Sequence, residues 1–395
     1  MISIQNKNDC CGCTACLASC PVSCISMEAD QEGFEYPFVE QEKCVRCEKC
    51  LKVCPVLNQV KNPDEPVVYA CYNKNEEIRL KSSSGGIFSL LAEHVLNQQG
   101  VVFGAKFNEN FEVVHDFTDT IEGLAEFRGS KYVQSRVGHC FQQVKRFLDD
   151  GREVLFSGTP CQVAGLKKLL GKDYSNLLLV DLICKGVPSP KVFHLYKNEL
   201  EQKFRQKITR YFFRTKSSGW KNSRIVVNLG KDEYQAAFHR NSEDHHMKMF
   251  LLSFSIRPSC FFCPANDFRS GSDMTIGDYW GIQQAHPELD DDMGTSVVLV
   301  HTQKGRECWS EIQGMMNLTP SSFELAFVHN PSLRFSMELP PRRDGFFKEL
   351  GIVSLRRLVK KYTKKQKPLI SRVRSMASRL LGKRVTALLK KFLVK

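Results

Sequence analysis

The sequence predicts a mixed architecture of α+β and α/β type: a small cysteine-rich module, a larger α/β core and a basic helical tail. Three observations carry this. Eight cysteines in two regular runs occupy the first 54 residues, strand and helix patterns alternate from Val67 to Phe204, and residues 351–395 hold fifteen Lys or Arg and no acidic residue. A chain of 395 residues exceeds one average domain. The divisions are expected at 1–62, 63–150, 151–350 and 351–395, with the second and third forming two parts of one core.

In the first module, Cys10, Cys13, Cys16 and Cys20 stand in C-x2-C-x2-C-x3-C-P order, closed by Pro21. Cys44, Cys47, Cys50 and Cys54 repeat that order, closed by Pro55. This is the bacterial ferredoxin arrangement, in which the fourth cysteine of each run serves the other cluster. One 4Fe-4S cluster then takes Cys10, Cys13, Cys16 and Cys54, and the second takes Cys44, Cys47, Cys50 and Cys20. Structural zinc uses one closed set of four ligands, usually as two separated pairs, which two full runs do not resemble. Cys11 and Cys24 fall outside the spacing and read as small buried residues. The chain has seventeen cysteines and a polar stretch from Met1 to Cys10. Together these point to metal or redox chemistry in the cytoplasm rather than a secreted disulfide framework.

After the Asn62–Pro66 linker the core is read element by element. Val67–Cys71 is a strand. Gly85–Asn97 is a helix, since Ile87, Leu90, Leu91, His94 and Val95 fall on one face. Val101–Phe107 and Phe111–Phe117 are strands around an Asn-Glu-Asn turn, and Val137–Leu148 is a helix. Glu153–Phe156 is a short apolar strand, followed by a helix with Val163, Leu166, Leu169 and Leu170 at helical spacing. Leu177–Ile183 is a strand and Lys191–Phe204 a helix. That alternation argues for a sheet covered by helices. Ile208–Phe213 and Arg224–Leu229 then read as a hairpin.

Several stretches in this core suggest chemistry. "KSSSGGIF", residues 81–88, puts serines and glycines at a helix start, which suits either phosphate binding or plain N-capping by serine. "RGSKYVQS", residues 128–135, joins a flexible turn, a cation and an aromatic ring. In "FSGTPCQVAGLKKLL", Pro160 suits a helix start, and Cys161 beside it suits either a nucleophile or a metal ligand. Cys184 ends another strand in "DLICKGVPSP", and Cys260 and Cys263 form "CFFCP". Strand ends of an α/β sheet gather on one edge, so these four thiols could hold a third 4Fe-4S cluster or a zinc ion. Cys71, Cys140 and Cys308 have no companion at ligand spacing and read as core. His245 and His246 look like a polar helix start rather than part of a nucleophilic pair.

The ordered motifs resemble the beta subunits of coenzyme F420 hydrogenases and dehydrogenases, and related flavin-dependent reductases. They are "SSGG" at 83–86, "GSKYVQS" at 129–135, "FSGTPCQVAGLK" at 156–167, "DLICKGVPSP" at 181–190, "FRTKSSGW" at 213–220 and "SCFFCPANDFRSGSDMTIGDYWG" at 259–281. The resemblance implies an FAD-binding core with one 4Fe-4S cluster held by Cys161, Cys184, Cys260 and Cys263. With the front pair this makes three clusters. It also implies FAD contacts from Ser83, Ser84, Gly85 and Gly86, and from Gly129, Ser130, Lys131 and Tyr132. Asp278, Tyr279 and Trp280 would line the same pocket. The expected function is an iron–sulfur flavoprotein oxidoreductase that moves electrons between a one-electron donor and an organic two-electron acceptor. The alternative is an electron-transfer subunit of a larger complex with no substrate of its own. Expected partners are a ferredoxin or a hydrogenase or dehydrogenase subunit.

The net charge of +13 resides in the tail, because residues 1–350 carry −2. Val373, Met376, Ala377, Leu380, Leu381, Val385, Leu388, Leu389 and Phe392 recur at helical spacing with cations on the other face. Such a helix suits either an anionic membrane surface, which would place the protein peripherally on the inner face of the membrane, or packing on the core with a solvated basic face. Too few aromatic rings are present there for nucleic-acid stacking.

Overall fold

The computed structural model describes residues 1–59, 65–230, 234–238 and 243–364, with 234–238 described by backbone alone. The amphipathic pattern of 373–392 lies outside the described residues. Thirteen strands are described: β1 Ile25–Ala29, β2 Glu35–Val39, β3 Val67–Asn73, β4 Val101–Phe107, β5 Val113–Thr118, β6 Val154–Gly158, β7 Leu177–Leu182, β8 Ile208–Thr215, β9 Arg224–Leu229, β10 Tyr234–Phe238, β11 Met274–Asp278, β12 Ser296–Val300 and β13 Met316–Ser321.

Eight of them form one mixed sheet in the order β13-β3-β12-β11-β7-β6-β4-β5. The strands β4, β6, β7 and β11 run parallel, and β12 is antiparallel to both β11 and β3. The central strands β6 and β12 are buried along their whole length. Each reads as an apolar run without alternation because both faces are covered. The helix Ile87–Asn97 covers one face with Ile87, Leu90, Leu91 and Val95, while Cys140–Asp149 and Pro160–Leu170 cover the other with Phe141, Val144, Val163 and Leu166. Cys71 and Cys140 are buried in these clusters and Cys308 packs against one, as their isolation in sequence suggests.

A smaller antiparallel sheet, β10-β9-β8, extends the expected hairpin by one strand. The helix Leu355–Thr363 packs into the same cluster through Leu355, Leu358, Val359 and Tyr362. Among the described residues no helix is long and apolar enough to cross a membrane.

The cysteine module, with its β1-β2 hairpin, does not stand apart. Phe34 is completely buried in the cluster built on β8 and β9, and Cys13, Ala15 and Val53 join the cluster under the Pro160–Leu170 helix. Arg343 locks the joint with a two-pronged bond to Glu32, at 3.1 and 2.6 Å, and donates to the Ile256 carbonyl.

Candidate functional site

Because β4, β6, β7 and β11 run in one direction, their carboxyl ends open on one edge of the sheet. β12 runs the other way, so its first residues reach the same edge. The expected core site residues collect there around two adjoining cavities, and a third cavity lies within the cysteine module.

The largest, of about 930 Å³, is lined by the turn at Ser82–Ser84 and Gly86, the loop Arg128–Val133, the end of β7 through Pro188, and Asp278 with Trp280. Of the residues proposed from sequence to contact FAD, Ser83, Ser84, Gly86, Gly129, Ser130, Lys131, Tyr132 and Asp278 lie on its wall. Gly85 is not among the lining residues. Its N–H donates to Ser296 Oγ at 2.9 Å, and a Cβ there would stand 2.6 Å from the Cys71 carbonyl, so it seats the turn on β3 and β12. Tyr279 is also absent from the wall and is fully buried, its hydroxyl bonded to Ser321 Oγ at 2.7 Å. Successive side chains at a strand end face opposite sides, which separates Tyr279 from its neighbours.

The serines do not cap the following helix. Its N-cap is Gly86 at φ +85°, a conformation that glycine adopts without steric cost. Ser83 instead ties the two loops together, accepting from the Ser130 N–H at 2.8 Å and bonding its hydroxyl at 3.1 Å. Lys131 is spent on the Glu126 and Arg128 carbonyls, and burial pulls its pKa down to about 7. Arg214 pairs with Asp278, which also accepts from Trp220 Nε1 at 3.0 Å. The Trp220 and Trp280 rings stack with centroids 4.7 Å apart.

A second cavity adjoins the first and is lined by Cys161, Cys184, Cys260 and Cys263, the four thiols singled out from the core sequence. The segment Leu182–Val187 lines both cavities. Cys161 is the second residue of the Pro160–Leu170 helix, whose start is closed by the Thr159 N–H donating to Gln162 Oε1 at 2.9 Å. The helix start does not acidify this thiol. The neighbouring Cys11 thiol and burial push it well above the ordinary range. Burial likewise lifts Cys260 to about 12 and Cys263 to about 11.

The third cavity is lined by Cys20, Cys44, Cys47 and Cys50, together with Cys24. The fourth cysteine of the first run therefore joins the second run, as the crossed spacing predicts. Around Cys16, burial lifts the thiol to about 12, and Cys10, Cys54 and Cys50 are near enough to add to the shift. Cys11 and Cys24 are both buried, as expected, but they do not sit in ordinary core. Cys24 Sγ lies 3.4 Å from Cys20 Sγ, and the Cys11 thiol stands beside those of Cys13 and Cys161. His246 is a buried structural residue bonded to the Tyr132 carbonyl at 2.7 Å. Among the described residues, no three His, Cys, Asp or Glu side chains converge as closely as a single bound ion requires.

Residues 9–58 match the 4Fe-4S dicluster domain, and residues 151–323 match the C terminus of the coenzyme F420 hydrogenase/dehydrogenase beta subunit. A ferredoxin of Saccharopolyspora erythraea is 37% identical over 60 residues, which are 15% of this chain. The chain spans about half the length of that relative, 52% of it. Among solved structures, a chain of the F420-reducing NiFe hydrogenase complex from Methanosarcina barkeri, studied as a xenon derivative, aligns with TM-score 0.47 and 18% identity. The alignment covers 69% of this chain and 91% of that one. The chain thus carries an N-terminal 4Fe-4S dicluster domain. Its residues 151–323 are similar to the C terminus of the coenzyme F420 hydrogenase/dehydrogenase beta subunit.

Proposed function

We propose that the protein is an iron–sulfur flavoprotein oxidoreductase. It carries electrons from a one-electron donor through three 4Fe-4S clusters to FAD and an organic two-electron acceptor, or in the reverse direction. One observation supports this most: the four-thiol cavity and the 930 Å³ cavity share the wall Leu182–Val187, which puts a cluster-type donor set directly against a cofactor-sized space.

The residues fit both groups. The core donor set is four thiols, the ligand type that 4Fe-4S clusters use. The large cavity has the size of a cofactor site. Gly129, at φ +83°, faces open space where a Cβ would meet nothing within 4 Å. Arg214 Nη2 is buried without a hydrogen-bond partner, so this wall has a cationic donor free for an anionic group. Ser83, Ser130 and the Gly129–Tyr132 backbone would hold the flavin nucleotide near that end, while Leu182–Val187 separates it from the thiols. When bound, a flavin exchanges single electrons with iron–sulfur centres and a hydride with an organic partner.

The front module extends the path. Cys13 touches the Pro160–Leu170 helix so closely that a Cβ on Gly165 would stand 2.8 Å from its sulfur. Cys47, in the second run, is exposed to solvent. The cluster of Cys10, Cys13, Cys16 and Cys54 is therefore the inner one, and that of Cys20, Cys44, Cys47 and Cys50 faces the donor. Stopped-flow mixing of the anaerobic holoprotein with a reduced ferredoxin tests the reading. The cluster absorbance is expected to bleach first and the flavin absorbance to follow. A protein with full iron that carries no flavin after reconstitution with FAD would overturn the flavoprotein reading. It would favour an electron-transfer subunit.

A further inference from the structure

We propose that Arg257 is a positioning residue that raises the reduction potential of the inner front cluster, drawing electrons toward the core. The proposal rests on the reading of Cys10, Cys13, Cys16 and Cys54 as that cluster's ligands.

Arg257 belongs to the core, just before the turn Pro258–Phe262 that carries Cys260, yet its guanidinium reaches into the front module. It is completely buried. Its Nε donates to the Cys10 carbonyl at 2.8 Å, and Nη2 donates to the Glu35 carbonyl at 2.9 Å. Nη1 donates to Gln134 Oε1 at 3.0 Å, and Nη2 also lies 3.6 Å from Cys10 Sγ. The guanidinium carbon stands 4.4 Å from the Tyr36 ring centre and 5.4 Å from that of Phe34.

None of the ion pairs among the described residues includes Arg257, and its oxygen acceptors are neutral carbonyl groups. A buried cation without a charged partner is costly. The group beside it that can carry negative charge is Cys10 Sγ, 3.6 Å from Nη2. The negative partner that the fold prepares is therefore sulfur. A cluster ligated by four thiolates carries net negative charge, and reduction adds one more electron to it. A fixed cation and an N–H donor directed at a ligand sulfur stabilise the reduced form more than the oxidised form, so the potential rises. The outer group of Cys20, Cys44, Cys47 and Cys50 has no such contact with Arg257. An electron arriving at the exposed face then meets a better acceptor one step inward.

The same fork also holds the module on the core, so a structural role has to be separated from an electrostatic one. The full chain is purified anaerobically, its iron is counted, and each cluster is titrated by EPR. Arg257→Gln is expected to keep full iron and make one front cluster about tenfold harder to reduce, equivalent to a potential about 59 mV lower for a one-electron couple. The other front cluster is expected to move much less. Arg257→Lys is expected to recover most of the shift, because the charge returns although the fork does not. Gln134→Glu provides a second variant that keeps the guanidinium and its backbone bonds but faces it with a carboxylate. It is expected to lower the same cluster's potential. Unmoved front potentials in an iron-replete Gln134→Glu protein would overturn the proposal, whether or not Arg257→Gln folds. Equal shifts in Arg257→Lys and Arg257→Gln would overturn it too, since charge would then be irrelevant. Fewer than about eight irons in the front module of the wild type would instead refute the two-cluster reading beneath it.

Discussion

Replacing Cys161 with serine is expected to remove about four irons per chain and one EPR-active centre, leaving the front pair intact. Cys161 shares its cavity with Cys184, Cys260 and Cys263, and the front ligand set lies within residues 10–54. The competing idea is a nucleophile at a helix start. A nucleophilic thiol needs a depressed pKa, whereas the Cys11 thiol and burial drive that of Cys161 upward. A buried thiol of this kind gives up its proton when a metal displaces it, which matches a ligand. Iron and sulfide analysis of the variant decides the matter. Unchanged iron with activity abolished would restore the nucleophile.

Asp278→Ala is expected to destabilise the core by about 3–5 kcal/mol, the usual consequence of stranding a buried charge. Only 4% of the Arg214 side chain is exposed, so once Asp278 is gone its charge meets water only through the large cavity it lines. Trp220 Nε1 also loses its acceptor, and the Trp220–Trp280 stack loses an anchor beside the large cavity. That loss is a large fraction of the total stability of about 5–15 kcal/mol typical of a folded protein. Removing both charges, as Arg214→Met with Asp278→Leu, is expected to recover much of it, because a buried pair can often be replaced by apolar groups at little net cost. Denaturant unfolding of the single and double variants measures the difference. A single variant within about 1 kcal/mol of wild type would place Arg214 in contact with water and refute this picture.

The local parts of this architecture were legible in sequence. The ligand spacing at Cys10–Cys54 is short-range chemistry, and the apolar periodicity of Ile87–Val95 and Val163–Leu170 reports the faces that the structure buries. Strands β4, β6 and β7 lie within a residue or two of their expected bounds. The joints were not legible. Phe34 belongs to none of the elements expected from sequence, yet the fold brings β8 and β9 over it. Arg257 lies 247 residues from Cys10, and no periodicity announces a contact of that range. The strands β11, β12 and β13 were missed because their place in the sheet is set by β3 and β7, remote in sequence. Within "GDYWG" the motif groups three neighbours, but the backbone sends Asp278 and Trp280 to the cavity and Tyr279 into the core. Cys11 and Cys24 show the converse. Their exclusion from ligand spacing was readable, whereas their position against ligand thiols depended on packing.

The central claim is that one chain joins three clusters to a flavin. It is tested most directly by counting iron, acid-labile sulfide and FAD in anaerobically purified, reconstituted protein. About twelve irons, as many sulfides and one FAD per chain are expected, from four irons and four sulfides at each of three sites. About eight irons with no flavin would contradict it, reducing the core to a scaffold for a two-cluster module.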